Sequence, residues 1–172
     1  MCIRDRDKLV MRKKLRELGA PVPPFAAIES ADDIAGFFEA VGGQVCLKAR
    51  RGGYDGKGVW FPDTVDEARE LVEKLLDKEI PLMAEKKVAL VRELSAMVAR
   101  TPSGEVQAWP AVESLQEDGI CVEAVAPAPN STPEILAAAE QLSRDVATEL
   151  GVTGVLAVEP VSYTHLTPPT KA

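Results

Sequence analysis

The sequence predicts an α+β fold, in which antiparallel sheets carry helices on one side. Hairpin signals and helical periods alternate along the 172 residues without a strict β-α-β order, which favours this class. Apolar residues make up 46% and charged residues 27% of the chain, the balance of a globular protein. No apolar run approaches the roughly 20 residues of a membrane span, and no signal peptide follows Met1. We therefore expect a cytoplasmic protein without a membrane partner.

The first half of the chain predicts two helices followed by two strands. Residues 7–18 have a helical apolar period that stops at Gly19, and prolines at 21, 23 and 24 then extend the chain into residues 25–28. Ser30 is predicted to cap a second helix, which Gly42 and Gly43 end. Alternation over residues 45–50 predicts a strand with only one apolar face, and residues 59–61 are predicted to return as its partner.

The second half predicts three more strands, a hairpin and two capped helices. Residues 64–67 form a capping box before a helix, and residues 80–85 are a strand candidate. Residues 90–100 and 105–112 flank a Thr-Pro-Ser-Gly turn, so they are predicted to form a hairpin. Residues 119–125 are predicted to form a strand, and Ser131 is predicted to cap a helix that runs to Leu150 and buries Ile135. Residues 153–158 form a last strand that ends at Glu159.

Both ends of the chain differ in character from the rest. Residues 1–6 and 161–172 resemble peptides translated from adapter DNA, and we expect both to be artefactual and outside the fold. The single histidine, His165, lies in this tail. Residues 7–160 therefore lack the side chain that Ser-His-Asp catalysis, Cys-His catalysis and His-ligated zinc require. The three cysteines are too few and too scattered for a disulfide framework, and we expect reduced, buried thiols.

A glycine-rich segment, K-A-R-R-G-G-Y-D-G-K-G at residues 48–58, predicts the chemistry. Four glycines stand within seven positions, so successive backbone N–H groups can converge on one anion. Lys48 and Lys57 would contact phosphate oxygens as point charges. The Walker A and dinucleotide patterns both fail here, and no helix follows the loop. The segment predicts a loop that holds a nucleoside triphosphate between two strands, the alternative being a tight hairpin with solvated basic flanks.

The string R-R-G-G-Y-D-G-K-G, with Lys48 just upstream, resembles the loop of the 5-(carboxyamino)imidazole ribonucleotide synthases. These are ATP-grasp enzymes of purine biosynthesis, and the resemblance runs from Asp7 to Pro160. It implies a fragment of the ATP-grasp fold, with a helix and proline-rich linker at 7–28. Residues 29–88 would form the smaller subdomain with the loop, and residues 89–160 the first part of the larger one.

The resemblance also implies roles for individual residues. Lys48 and residues 53–59 would contact the triphosphate, and Tyr54 and Asp55 would act catalytically on the side of the nucleotide substrate. Residues 85–88 would read adenine through backbone groups, Glu93 would bind the ribose hydroxyls, and Glu159 would be the first of two carboxylates that hold Mg²⁺. The ATP-binding set implied in this way is Lys48, Gly53, Tyr54, Asp55, Gly56, Lys57, Gly58, Val59, Glu85, Lys86, Lys87, Val88, Glu93 and Gln116.

Enzymes of this kind bind ATP between two antiparallel sheets and use it to phosphorylate bicarbonate. The resulting carboxyphosphate carboxylates aminoimidazole ribonucleotide, and the parent enzyme is expected to be a homodimer. The net charge of −7 argues against a nucleic-acid partner. Since the resemblance covers only the middle of such an enzyme, we expect this chain to be truncated and inactive alone. Two alternatives stay open: another ATP-grasp enzyme, such as a biotin-dependent carboxylase or a formate-using purine transferase, and a non-catalytic nucleotide-binding module.

Overall fold

The computed structural model describes residues 7–53, 57–117 and 120–159, together with the backbone of residues 161–163. The chain divides into two compact units between Val88 and Ala89. Unit 1 is an antiparallel sheet with three helices and unit 2 is built from antiparallel strands with one helix in its described residues, which confirms the predicted α+β class. Within the described ranges, no helix is both long and apolar enough to cross a membrane.

Unit 1 is a four-stranded antiparallel sheet with three helices. Its strands lie in the order β1-β4-β2-β3. Its elements are α1 (Lys8–Glu17), β1 (Phe25–Ile28), α2 (Ala31–Ala40), β2 (Val45–Ala49), β3 (Val59–Trp60), α3 (Val65–Leu76) and β4 (Leu82–Lys86).

Helices α2 and α3 begin where the sequence predicts. The Ser30 hydroxyl accepts a hydrogen bond from the Asp33 amide at 3.2 Å, and the Thr64 hydroxyl accepts one from the Glu67 amide at the same distance. The Glu67 carboxylate accepts a hydrogen bond from the Asp63 amide, whereas a capping box would place this contact on the amide of Thr64. These side chains satisfy amide groups that have no partner within their helices, so both starts are fixed locally.

The sheet of unit 1 is covered on both faces. Val45 and Leu47 of β2 pack with α2 and α3 in the main core. Cys46, on the opposite face of β2, is buried as well, which confirms the expectation of a buried thiol there. On the face that carries Cys46, the helix α1 places Arg12 against Glu85 of β4. A strand buried on both faces lacks a simple alternation of buried and exposed side chains.

Unit 2 is built around one long central strand. Its elements are β5 (Leu90–Arg100), β6 (Val106–Ala108), β7 (Val112–Glu117), β8 (Ile120–Val125), α4 (Pro133–Glu149), β9 (Gly154–Val158) and β10 (Val161–Tyr163). Strand β5 pairs with β6 and β7 and also with β9 and β10, always antiparallel. The predicted hairpin forms, but its second arm is divided between β6 and β7 at Trp109 and Pro110. Proline has no amide hydrogen to donate to the ladder, which explains the interruption.

Helix α4 corrects two predictions. Its N-cap is Thr132, not Ser131, since the Thr132 hydroxyl accepts from the Ile135 amide. Ser131 instead accepts a hydrogen bond from Arg92 Nη1 at 2.9 Å. Ile135, expected to be buried, is 37% exposed, whereas Ala139 of α4 is buried in the core with Leu94 and Ala96 of β5, and Leu136 packs against it.

The C-terminal segment also differs from the expectation. Residues 161–163 were excluded from the fold, yet their backbone forms β10, which pairs with residues 90–93 of β5. An artefactual origin of the segment stays a prediction, but its exclusion from the fold is wrong for these three residues. Residues 1–6 and 164–172 lie outside the described part of the chain.

Candidate functional site

The base of the glycine-rich loop is closed by backbone contacts that need glycine. The Ala49 amide donates to the Gly58 carbonyl at 2.9 Å, which joins the two ends of the loop. Gly53 has a φ of +83°, and a Cβ there would lie 2.5 Å from the Lys57 carbonyl oxygen. Gly58 has a φ of +80° and lies against Gly53. A side chain at position 53 would therefore force the loop open.

Several predicted loop residues can be placed only in part. Tyr54, Asp55 and Gly56, among them both predicted catalytic residues, lie outside the described residues. Lys57 is exposed at the end of the loop, and Val59 begins β3. The roles of these residues stay predictions.

Lys48 is fixed next to the loop by a buried carboxylate. Its Nζ donates to Glu85 Oε2 at 2.7 Å, and Arg12 Nε donates to Glu85 Oε1. Cys46 lies directly opposite Glu85 in the antiparallel pair of β2 and β4, so Lys48, two residues further, projects from the same face. The Glu85 side chain is only 5% exposed and neutralises two cations at once.

The ionisation of Glu85 follows from these contacts. Burial by itself would raise the pKa of Glu85, but the hydrogen bond from Arg12 and the charge of Lys48 hold it below its ordinary value. Glu85 is therefore a carboxylate at neutral pH, and it orients Lys48 as a cation. Phosphate oxygens are the anions for which a lysine held beside a glycine-rich loop is suited.

The segment after Glu85 was predicted to read adenine through its backbone. The Lys86 amide donates to the Pro24 carbonyl and the Lys87 amide to the Gln44 carbonyl, both at 2.8 Å. These two donors are thus engaged within the protein, and any contact with a base falls on other backbone groups, such as those of Val88. The Lys87 ammonium lies 5.0 Å from the centre of the Phe61 ring.

A second buried carboxylate, Asp7, contacts the start of the loop and was not predicted as a site residue. Asp7 caps α1 by accepting from the amides of Leu9 and Val10. It also accepts two hydrogen bonds from Arg50, at 3.1 and 2.8 Å, and one from Arg51 at 3.3 Å. The sequence signal was an acidic residue one position before an amphipathic helix, which indicates a cap but not a partner 43 residues away.

The predicted site residues of unit 2 share one face of its sheet. Glu93 in β5 lies opposite Ser114 of β7, and Gln116 is two residues beyond Ser114 on the same face. Ala157 of β9 lies opposite Met97, so continued alternation brings Glu159 to that face as well. Helix α4 packs against the other face, through the core that contains Leu94 and Ala96. The face with Glu93, Gln116 and Glu159 is therefore the one opposite α4.

Unit 2 offers one candidate carboxylate ligand for Mg²⁺, Glu159, rather than a complete set of protein ligands among its described residues. Glu159 is exposed at the end of β9, and in the described ranges no three His, Cys, Asp or Glu side chains lie together as a metal site. Mg²⁺ is usually bound by one or two carboxylates, with substrate phosphates and waters as the other ligands. Glu159 fits the role of one such ligand.

Comparisons with known proteins agree with this arrangement. The profile of the ATP-grasp domain matches residues 13–164. A curated relative from Corynebacterium ammoniagenes, described as N5-carboxyaminoimidazole ribonucleotide synthase, is 60% identical over 163 residues. That alignment covers 95% of this chain and 40% of the relative.

Solved structures of the same enzyme are also similar. The synthetase from Thermus thermophilus is 30% identical with a TM-score of 0.84, over 94% of this chain and 42% of that one. The enzyme from Aspergillus clavatus, solved with ADP and 5-aminoimidazole ribonucleotide, is 29% identical with a TM-score of 0.78, over 92% and 41% of the two chains. These matches confirm the resemblance and the expected fold. The chain spans about two fifths of the length of these relatives.

Proposed function

This chain belongs to the ATP-grasp family, and on that premise we propose that it is the ATP-binding part of an N5-carboxyaminoimidazole ribonucleotide synthase. Such an enzyme carboxylates aminoimidazole ribonucleotide with bicarbonate and converts ATP to ADP and phosphate. The name of the relative with 60% identity and the ligands of the Aspergillus clavatus structure support this assignment.

The observation that carries the proposal is the fixed cation beside the loop. Lys48 is oriented by Glu85 at 2.7 Å, while Gly53 and Gly58 keep the loop free of side chains. Phosphoryl transfer needs little covalent help from a protein and depends on positioning and on neutralising spread negative charge. In unit 1, Lys48 and the loop amides would hold the triphosphate. We also propose ATP contacts for Glu93 and Gln116, as the resemblance implies.

The reaction consists of two group transfers, first of the γ-phosphoryl group to bicarbonate and then of the carboxyl group to the amine. A bicarbonate oxygen attacks the γ-phosphorus, and ADP leaves as the bond to the γ-phosphoryl group breaks. The amine of aminoimidazole ribonucleotide then attacks the carbon of carboxyphosphate, the bond from that carbon to the phosphate oxygen breaks, and the departing phosphate takes up the proton that the amine loses. Tyr54 and Asp55 would act on the side of the nucleotide substrate. Mg²⁺, held partly by Glu159, would neutralise charge on the phosphates.

The location and assembly of the parent protein complete the proposal. We place it in the cytoplasm, where free thiols such as Cys46 and Cys121 stay reduced. We propose a homodimeric parent that has only small-molecule substrates and no nucleic-acid partner.

A chimera tests the proposal. Residues 7–159 of this chain would replace the matching segment of the Corynebacterium ammoniagenes relative, and carboxylation of aminoimidazole ribonucleotide would be measured with ATP and bicarbonate. We expect activity that is lost with Lys48→Ala and kept with Lys14→Ala, whose exposed partner is Glu17. ATP cleavage without carboxylation of this acceptor would favour another ATP-grasp ligase. A folded chimera without ATP cleavage would contradict the proposal.

A further inference from the structure

Asp7 is one of two fully buried carboxylates in the described part of the chain, and the proposed chemistry does not use it. Its side chain is 1% exposed. Burial by itself would raise the pKa of Asp7, but hydrogen bonds from Arg50 and the Val10 amide lower it, so the group is charged. A buried charge is retained only where partners compensate it, and Asp7 has five N–H donors.

The partners of Asp7 lie at the start of the glycine-rich loop. Arg50 follows the last residue of β2, and its planar guanidinium grips both Asp7 oxygens. The Arg50 backbone is tied as well, since its carbonyl accepts from the Lys8 amide at 2.9 Å and its amide donates to the Pro81 carbonyl at 2.8 Å. The residue from which the loop departs is therefore held through its side chain and its backbone.

Lys8, the first residue of α1, adds a second connection to the loop. Its Nζ donates to the carbonyls of Ala49, at 3.1 Å, and Gly52, at 2.7 Å. These two contacts hold the backbone at the start of the loop just before and just after Arg50 in the chain. Asp7 caps the helix that presents Lys8, so one carboxylate fixes both connections.

The glycines explain why such an anchor is needed. Gly52, Gly53 and Gly58 all have positive φ, and glycine loses more conformational freedom on folding than any other residue. A loop of this composition is costly to order, and its backbone donors can hold a phosphate only if its ends are fixed. Contacts at Arg50 and at Gly52 fix the first end, in addition to the Ala49–Gly58 hydrogen bond.

We propose that Asp7 is a positioning residue for the triphosphate-binding loop, acting through Arg50. The proposal rests on the proposed function, because it assumes that the loop binds phosphates. Asp7 also holds the guanidinium groups of Arg50 and Arg51 on its own carboxylate, which leaves the loop amides and Lys48 to receive the ligand. If Asp7 only stabilised α1, its substitution would lower the affinity for all ligands alike. If it positions the loop, its substitution lowers the affinity only for ligands that carry phosphates.

The test compares MgATP with adenosine as ligands of the full 172-residue chain, using Asp7→Asn. Asparagine keeps an oxygen that can cap α1, so the substitution mainly removes the charge that holds Arg50. We expect affinity for MgATP to fall roughly tenfold or more, as small misplacements of binding groups do, while affinity for adenosine changes less than about twofold. Asp33→Asn is the matched control, an exposed aspartate of α2 that bonds the Glu29 amide, and it should leave both affinities unchanged.

A second variant keeps the test decisive if Asp7→Asn does not fold. Arg50→Lys retains the charge but cannot grip both carboxylate oxygens, and it should produce the same loss for MgATP alone. Unchanged MgATP affinity in a folded variant, or equal losses for both ligands, would overturn the role of Asp7 and leave the proposed function standing. A wild-type chain that binds adenosine but gains nothing from the phosphates would refute the phosphate loop, and the role of Asp7 with it.

Discussion

Replacing Glu85 by glutamine perturbs the central ion pair of unit 1 with almost no change of volume. Glutamine keeps one oxygen that can accept a hydrogen bond, but it removes the charge shared by Lys48 and Arg12. Two cations then lie beside a neutral amide, and each loses its counter-ion. We expect the free energy of unfolding of unit 1 to fall.

The size of the loss follows from burial. Breaking a fully buried ion pair costs about 3–5 kcal/mol. The side chains of Lys48 and Arg12 are 21% and 31% exposed, so water screens part of this interaction. We therefore expect a loss of about 2–3 kcal/mol. The matched control is Glu17→Gln, whose pair with Lys14 at 3.3 Å is exposed and should contribute less than about 0.5 kcal/mol.

The assay is urea denaturation followed by tryptophan fluorescence. The two tryptophans lie in different units, so Trp109→Phe in every variant makes Trp60 the reporter of unit 1. The pKa of Glu85 is lowered from its ordinary value of 4.5, so its stabilising contribution is complete above that pH and disappears as the pH falls through the lowered value. The difference in the free energy of unfolding between wild type and Glu85→Gln should therefore decrease as the pH falls through the lowered pKa of Glu85. A Glu85→Gln loss no larger than that of Glu17→Gln would refute this reasoning.

Three further predictions concern the loop, a helix cap and the thiols. Gly53→Ala should lower MgATP affinity and the melting temperature more than Gly52→Ala, since a Cβ meets the Lys57 carbonyl at position 53 and nothing within 4 Å at position 52. Thr132→Ala should lower the free energy of unfolding of unit 2 by about 1 kcal/mol in urea titrations, because it removes the cap of α4. Cys121 should be alkylated rapidly in the native protein, because it is exposed. Cys46 should react only on unfolding, because it is buried and burial raises the pKa of its thiol. Peptide mass spectrometry measures the alkylation rate of each cysteine, and equal rates would contradict the prediction.

The order and type of the elements could be predicted from local patterns in the sequence. Ser30 and Thr64 fix the starts of α2 and α3 by contacts within three residues, and such signals are present in the sequence itself. Ser131 shows where local signals fail, because two hydroxyl residues compete for one cap. Arg92, 39 residues away in the chain, donates a hydrogen bond to the Ser131 hydroxyl, and Thr132 is the residue that caps α4. Cys121 was expected to be buried and is exposed on β8.

The candidate site divides in the same way. The glycines and Lys48 could be recognised because they are close together in the sequence and resemble a known loop. The contacts of Asp7 with Arg50 and of Glu85 with Arg12 span 43 and 73 residues, and no local pattern predicts them. Glu85 was expected to contribute mainly through its backbone, whereas the structure gives its side chain the central place between two cations.

The most direct test of the central claim is a calorimetric titration of MgATP into the 172-residue chain and its Lys48→Ala variant. We expect saturable binding that is weakened at least about tenfold by the substitution, because the cation beside the loop is lost. Circular dichroism would verify that both proteins are folded. Equal affinity of the two proteins, or no binding by the folded wild-type chain, would contradict the claim that Lys48 and its loop form a triphosphate site.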